Sequence, residues 1–292
     1  DTALFHKGAQ LFGLVPDSID EGATPVIVEG PMDAVAVTLG TVGLYVGVAP
    51  LGTSLTDDQA TQLAAIHRAT GRDPIVATDP DLPGQIAAER NYWILAPHGI
   101  DPGYALLPDG LDPAEFLTQR GAAALTIALA GSQPAFRSLG DQLLTERLDN
   151  LDPDQARVAA MRVISARPSR YWTSSAERVR LRLLLSQEQA RRDLRDAVKT
   201  WDIDPRKAAL AELRKSNEIR TRMIAAAYMT PAERWAPLAR ELDPRLLEQG
   251  GRGLGGGQLG QVVRDVGHEA LHRVLPLPHP RPPHTSPADP KR

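Results

Sequence analysis

Between residues 24 and 120 the chain alternates short apolar runs with helical segments in units of roughly thirty residues, a rhythm that few folds accommodate. Pro25-Val26-Ile27-Val28, Leu44-Tyr45-Val46-Gly47-Val48, Pro74-Ile75-Val76-Ala77 and Tyr104-Ala105-Leu106-Leu107 each read as a buried strand. Helices are expected at about 32–39, 56–69 and 84–96. The second opens on Thr56-Asp57-Asp58-Gln59, a capping-box spacing with acids at the positive end of the helix dipole. Leu63 and Ile66 follow at helical spacing, and Gly71 stops the segment. Strand and helix in alternation predict an α/β fold, with a four-stranded parallel sheet covered on both faces.

From residue 131 onward the strand signals vanish. Helices are expected at 137–149, 155–166, 175–200 and 204–228, with breaks at Asp152-Pro153, Arg167-Pro168 and Asp204-Pro205. The glycines between 250 and 257 read as a flexible linker, and the Pro- and His-rich stretch 276–292 as a disordered tail. His279 and His284 fall in that tail, where a solvated side chain is the ordinary state. No internal repeat is present. The expected organisation is thus 1–21 as a leading segment, 22–130 as the α/β domain, 131–249 as a helical region and 250–292 as the tail.

The formal net charge of −3 hides an asymmetry. Residues 1–130 hold 16 Asp or Glu against 5 Lys or Arg, while residues 131–292 hold 20 against 28. An acidic front repels polyanions unless cations intervene, and a basic back attracts them, although a solvated Arg-rich helical surface gives the same balance. With no cysteine in 292 residues, disulfides, thiol catalysis and Cys-ligated zinc are excluded, and no zinc is expected in this chain. No window approaches eighteen consecutive apolar residues and no signal peptide opens the chain, so a cytoplasmic protein without a membrane partner is expected. The first residue is Asp rather than Met, which reads as a fragment of something longer.

In open parallel sheets ligands gather beyond the carboxyl ends of the strands. Three acidic clusters fall there: Glu29-Gly30 with Asp33 one helical turn later, Asp79-Pro80-Asp81 before Gly84, and Gly110-Leu111-Asp112-Pro113. Few lysines or arginines lie nearby in sequence to neutralise them. Converging carboxylates without basic partners either raise their pKa values or bind a hard cation. Two acids spaced as Asp79 and Asp81 project to one side of an extended segment, which suits oxygen coordination of Mg²⁺. Glu29 is either a further ligand or a general acid/base. A single such cluster is more often a helix cap than a metal site, but three at the ends of one sheet are not easily explained that way.

Glu29-Gly30-Pro31-Met32-Asp33 resembles the EGxxD signature of the Toprim domain, and Asp79-Pro80-Asp81-Leu82-Pro83-Gly84 resembles its DxDxxG element. Toprim modules occur in primases, topoisomerases, OLD-type nucleases and recombination-mediator proteins, so these two motifs imply only a fold and metal chemistry. A finer resemblance is to bacterial DnaG-type primases. Gly52-Thr53-Ser54-Leu55-Thr56 is similar to their GTxLT segment, and Gln85 to Arg90 to the helix after DxDxxG. Leu107-Pro108-Asp109-Gly110-Leu111-Asp112-Pro113 resembles their LPxGxDPD, with Ala114 in place of the last acid. Leu4 to Gly13 is similar to the LFxKxxxLYG stretch at the end of their N-terminal core subdomain, which assigns residues 1–21 to that subdomain.

The resemblance implies a primase that makes short RNA primers on a single-stranded DNA template from ribonucleoside triphosphates, using Mg²⁺ or Mn²⁺. Carried over by position, Glu29, Asp79 and Asp81 form the catalytic set and, with Asp33 and Asp112, hold the metal. Lys7 and Arg90 are expected at substrate phosphates or else as solvated cations. The family's zinc-binding module and much of its basic template-gripping part are not in residues 1–292, which implies an upstream location or a diverged module of a plasmid or phage protein. Two other readings use the same residues: a Toprim nuclease, and a non-catalytic module that docks a helicase or relaxase through the helices of 137–228. No tyrosine has the context of a topoisomerase nucleophile.

Overall fold

A computed structural model of the protein describes residues 7–52, 54–79 and 81–215, without the side chains of Lys7 and Leu82. All of these belong to the first of two compact units, Asp1–Met223; the second, Ile224–Arg292, lies outside the described residues, as do the expected linker and tail.

In chain order the unit holds β1 (Leu11–Phe12), α1 (Pro16–Asp20), β2 (Thr24–Ile27), α2 (Pro31–Gly40), β3 (Tyr45–Pro50), α3 (Asp57–Thr70), β4 (Ile75–Val76), α4 (Leu82–Leu95) and β5 (Gly103–Tyr104). Then come only helices: α5 (Pro113–Arg120), α6 (Ala122–Ala130), α7 (Leu139–Asn150), α8 (Pro153–Ala166), α9 (Trp172–Arg182), α10 (Gln187–Ile203) and α11 at 205–215. The strand order is β1-β3-β2-β4-β5. The four expected strands are parallel, and the sheet gains a fifth, β1, which runs antiparallel to the end of β3 with Leu11 opposite Pro50. Two residues of strand leave no periodicity to read in a sequence.

Alternate residues of the central strands enter opposite cores, as period-two geometry requires. Ile27, Val48 and Val76 pack against α3, α4, α7 and α8, through side chains such as Leu63, Tyr92, Leu144 and Ile164. Val26, Val28, Ile75 and Ala77 pack on the other face against α2, α5 and α6, where Val37, Phe116, Leu125 and Leu129 wait. Burial of a side chain such as Ile27 or Ile75, both wholly enclosed, contributes about 1.5–3 kcal/mol before entropy is counted. Both faces are covered, which is why the strands read as continuous apolar runs. α2 lies so close to β3 that a Cβ on Gly47 would sit 2.3 Å from the Ala34 carbonyl oxygen. Thr38 locks this contact, donating to that same carbonyl and accepting the Gly47 N–H at 3.0 Å.

The capping box on α3 forms as its spacing predicts, with Thr56 and Gln59 bonding each other reciprocally and Gly71 left-handed at φ 70°. The helix expected over 175–200 is instead two helices. Leu184 adopts φ 54°, and Ser186 caps α10 by accepting from the Gln189 N–H at 3.1 Å, so the continuous apolar and basic pattern hides a break. α5 and α6 were not expected at all. Asp112, Pro113 and Gly121 are their start and stop signals, and Gly121 takes φ 83° where α5 gives way to α6. No described helix is long and apolar enough to cross a membrane.

A buried ionic network ties α7, α8 and α9 to the sheet end. Arg167 donates to Asp101 at 2.8 Å, to Asp141 at 2.7 Å, and to the hydroxyls of Ser175 and Ser138. Asp101 also accepts from Ser138 and from the Gly140 N–H. A second buried pair joins Arg147 of α7 to Glu89 of α4, which in turn accepts from the Trp93 indole at 3.1 Å.

Candidate active site

β2 and β4 are neighbours, but the chain leaves them in opposite directions. From β2 it passes through α2 to β3 on one side, and from β4 through α4 to β5 on the other. α2 covers one face of the sheet and α4 the other. Beyond the carboxyl ends of such a pair the two connections diverge and leave a crevice, with helix N-termini facing into it.

Glu29 stands at the end of β2, just after Val28 has bonded to Val48 of β3. Its Oε1 accepts the backbone N–H of Asp79 at 3.1 Å, joining the ends of the two neighbouring strands. Asp79 leads into a loop folded back on the start of α4. A Cβ on Gly84 would lie 2.0 Å from the Asp79 carbonyl oxygen, so only glycine permits this approach. The same loop is clasped by Thr78 donating to the Gly84 carbonyl at 2.8 Å and by the Gly84 N–H donating to Asp81 Oδ1 at 2.8 Å. Asp81 is therefore the N-cap of α4 as well as a member of the acidic group.

Asp112 likewise caps α5, accepting from the Glu115 N–H at 2.7 Å. Asp33, in the first turn of α2, reaches across to accept the Ala114 N–H of the same helix at 3.3 Å. Ala114 replaces an acid of the resembled motif, and here its backbone serves as a donor. Three of the five carboxylates thus satisfy orphan N–H groups of helix starts.

The electrostatics show that the other four act on Asp79. The Asp79 carboxyl is pushed up to about 6, first by burial and then by repulsion from Glu29, Asp33, Asp81 and Asp112. Asp33 is also raised, by burial and by Asp112, against the opposing hydrogen bonds from Ala114 and Gly30. No cation appears among the causes for either. All five donors are hard carboxylate oxygens, which suit Mg²⁺ or Mn²⁺ and not a soft metal. Among the described residues no three His, Asp or Glu side chains converge into a ready-made cage. Mg²⁺ characteristically keeps several waters and takes one or two carboxylates plus phosphate, so the donor set fits that ion without such a cage.

Of the two expected cations, only Arg90 has a described side chain. Arg90 lies half-buried in the third turn of α4, about 13 Å along the helix from Asp81. The side chain of Lys7 lies outside the described residues, as does Thr53 of the Gly52–Thr56 segment. The sequence reading overlooked Asn91, which shares a pocket with Glu29, Ser54 and Thr78. Its signal was a polar residue four positions after Ala87, on the same side of α4.

Residues 26–117 match the Toprim-like family. The chain is 39% identical over 124 residues to the DNA primase of Clostridium acetobutylicum, covering 41% of this chain and 20% of that one. It is 34% identical over 194 residues to the DNA primase of Salmonella typhimurium, covering 63% and 31%. Among solved structures, a DnaG primase catalytic domain bound to single-stranded DNA superposes with a TM-score of 0.52 at 27% identity, over 63% of this chain and 59% of that one. The chain spans a fifth to a third of the length of those two primases.

Proposed function

We propose that this chain carries the nucleotidyl-transfer centre of a DNA primase, which joins ribonucleotides into short primers on a single-stranded DNA template. The observation that carries the reading is that Glu29 and Asp79 end neighbouring strands and are joined through the Asp79 N–H, with Asp33, Asp81 and Asp112 close enough to help raise the Asp79 carboxyl. The likeness to primases continues past the acidic motifs, into segments a Toprim nuclease does not need, and this favours primer synthesis over strand cleavage.

Asp79 and Asp81, with Asp33 and Asp112 nearby, would hold Mg²⁺ or Mn²⁺. When bound, the ion supplies positive charge to the triphosphate of the incoming ribonucleotide. The protein's own part is to fix these oxygens before substrate arrives. The Gly84 clasp sets the Asp79–Asp81 loop, the two caps hold Asp81 and Asp112, and Glu29 is oriented through its Oε1. The other oxygen of Glu29 is then directed either to a metal or to the proton of the primer 3′-hydroxyl. Arg90 and Lys7 are assigned to phosphate. A replicative helicase or relaxase is the partner proposed for residues 131–249.

Calorimetric titration with Mg²⁺ and Mn²⁺ tests the site. Asp79→Asn with Asp81→Asn keeps a capping side chain yet removes two charges, and is expected to lower affinity by more than about tenfold. Unchanged affinity would refute the assignment.

A further inference from the structure

Asn91 is 4% exposed, and its amide oxygen is buried without a hydrogen-bond partner. With Ala87, one turn earlier on α4, it lines the pocket edged by Glu29, Gly52, Ser54 and Thr78. An unpaired buried carbonyl is disfavoured, so the pocket is suited to an occupant that donates a hydrogen bond. The surrounding chemistry narrows the occupant. Glu29 only accepts, and the hydroxyl proton of Thr78 is spent on the Gly84 carbonyl, leaving lone pairs for a ligand. A phosphate, which accepts and is negatively charged, is the wrong partner. A base amino group donates, but not every base carries one, and template-directed synthesis must admit all four bases. A sugar hydroxyl is common to every nucleotide.

We infer that Asn91 is a ribose-binding residue, whose amide oxygen accepts a hydrogen bond from a sugar hydroxyl of the nucleotide seated beside Glu29. This rests on the primase reading above and deepens it: the same contact would let the site favour ribonucleotides over deoxyribonucleotides. The ribose belongs either to the incoming triphosphate or to the 3′ end of the growing primer.

The test measures binding separately from chemistry. Affinities of the full chain for ATP, 2′-deoxy-ATP and 3′-deoxy-ATP are determined in Mg²⁺, beside those for an RNA–DNA duplex ending in a ribose or a deoxyribose. The wild type is expected to favour the intact ribose by roughly tenfold in one arm, and that arm identifies the source. Asn91→Leu, of similar size but without an acceptor, is expected to reduce the preference to within about twofold while melting no lower than wild type. Should the leucine variant not fold, Asn91→Ala and Asn91→Ser are compared instead, with only the serine retaining part of the preference. A preference that survives in the leucine or alanine variant overturns the inference, and so does a wild type with no preference in either arm, since a bound water would then explain the pocket. Ribose-selective binding that depends on Asn91 in a protein that makes no primers would uphold the inference and sink the primase reading. A wild type that binds neither nucleotide nor duplex would sink both.

Discussion

At Asp79 the acidic centre works against the stability of the fold. Its carboxyl, pushed up to about 6, binds a proton more readily in the folded chain than in the unfolded one, where an aspartate titrates near 4. Stability therefore falls as pH rises from about 4 to about 6, and the full deficit is present above that window. Asp79→Asn is expected to raise the melting temperature of the metal-free protein by roughly 1–3 °C at pH 7.5, with the gain gone by about pH 4. Thermal melts with a chelator across that range check it, and a gain that grows as pH falls would contradict it. Gly84→Ala tests the clasp. With a Cβ 2.0 Å from the Asp79 carbonyl oxygen the loop must move, costing about 1–3 kcal/mol in a denaturant titration and most of the metal affinity. At this scale the acids were legible because Glu29, Asp79 and Asp81 stand where apolar runs stop. What the sequence did not reveal is how these acids bond across the fold. Asp33 satisfying the Ala114 N–H of a helix some eighty residues away is a tertiary fact. So is the shared pocket of Glu29 and Asn91.

Among the elements, the central sheet and α2, α3 and α4 follow their sequence signals closely, because apolar runs bounded by caps and glycines specify them locally. The split between α9 and α10 does not, since Leu184 at φ 54° is a residue type that rarely adopts that backbone. Leu184→Gly is expected to stabilise the fold by up to about 1 kcal/mol, read from the denaturation midpoint, and a loss of that size would argue that the two helices do not break there. The Arg167 network makes the opposite prediction. Removing the guanidinium with Arg167→Met leaves Asp101 buried without its charged partner, which is expected to cost about 3–5 kcal/mol. A cost below about 1 kcal/mol would show that the network does not join α7, α8 and α9 to the sheet end. Arg167 was read in the sequence only as part of a helix break, since buried pairing across 66 residues has no local signature.

Over the whole sequence, residues 1–130 are acidic and residues 131–292 basic. Several of the arginines behind that balance are already paired within the fold, among them Arg180 with Glu177, Arg182 with Asp149 and Arg192 with Glu188. Arg191, Arg195 and Lys199 recur every fourth residue on α10 as an exposed stripe, the geometry that would follow a polyanion. Replacing all three with alanine is expected to weaken single-stranded DNA binding and to flatten the dependence of log affinity on log salt by about 2. An unchanged slope would take the stripe out of the template path. The charge asymmetry was legible from composition alone, but which cations are free depends on pairing that only the fold shows. The central claim is that the acidic centre transfers nucleotides, and it is tested most directly by incubating the chain with single-stranded DNA, labelled ribonucleotides and Mg²⁺ or Mn²⁺. Glu29→Gln is the control, because a glutamine can still accept the Asp79 N–H. Short ribonucleotide products from the wild type, lost by more than about a hundredfold in the variant, are the predicted result. Products that persist in the variant, or a template shortened where no primers form, would contradict it.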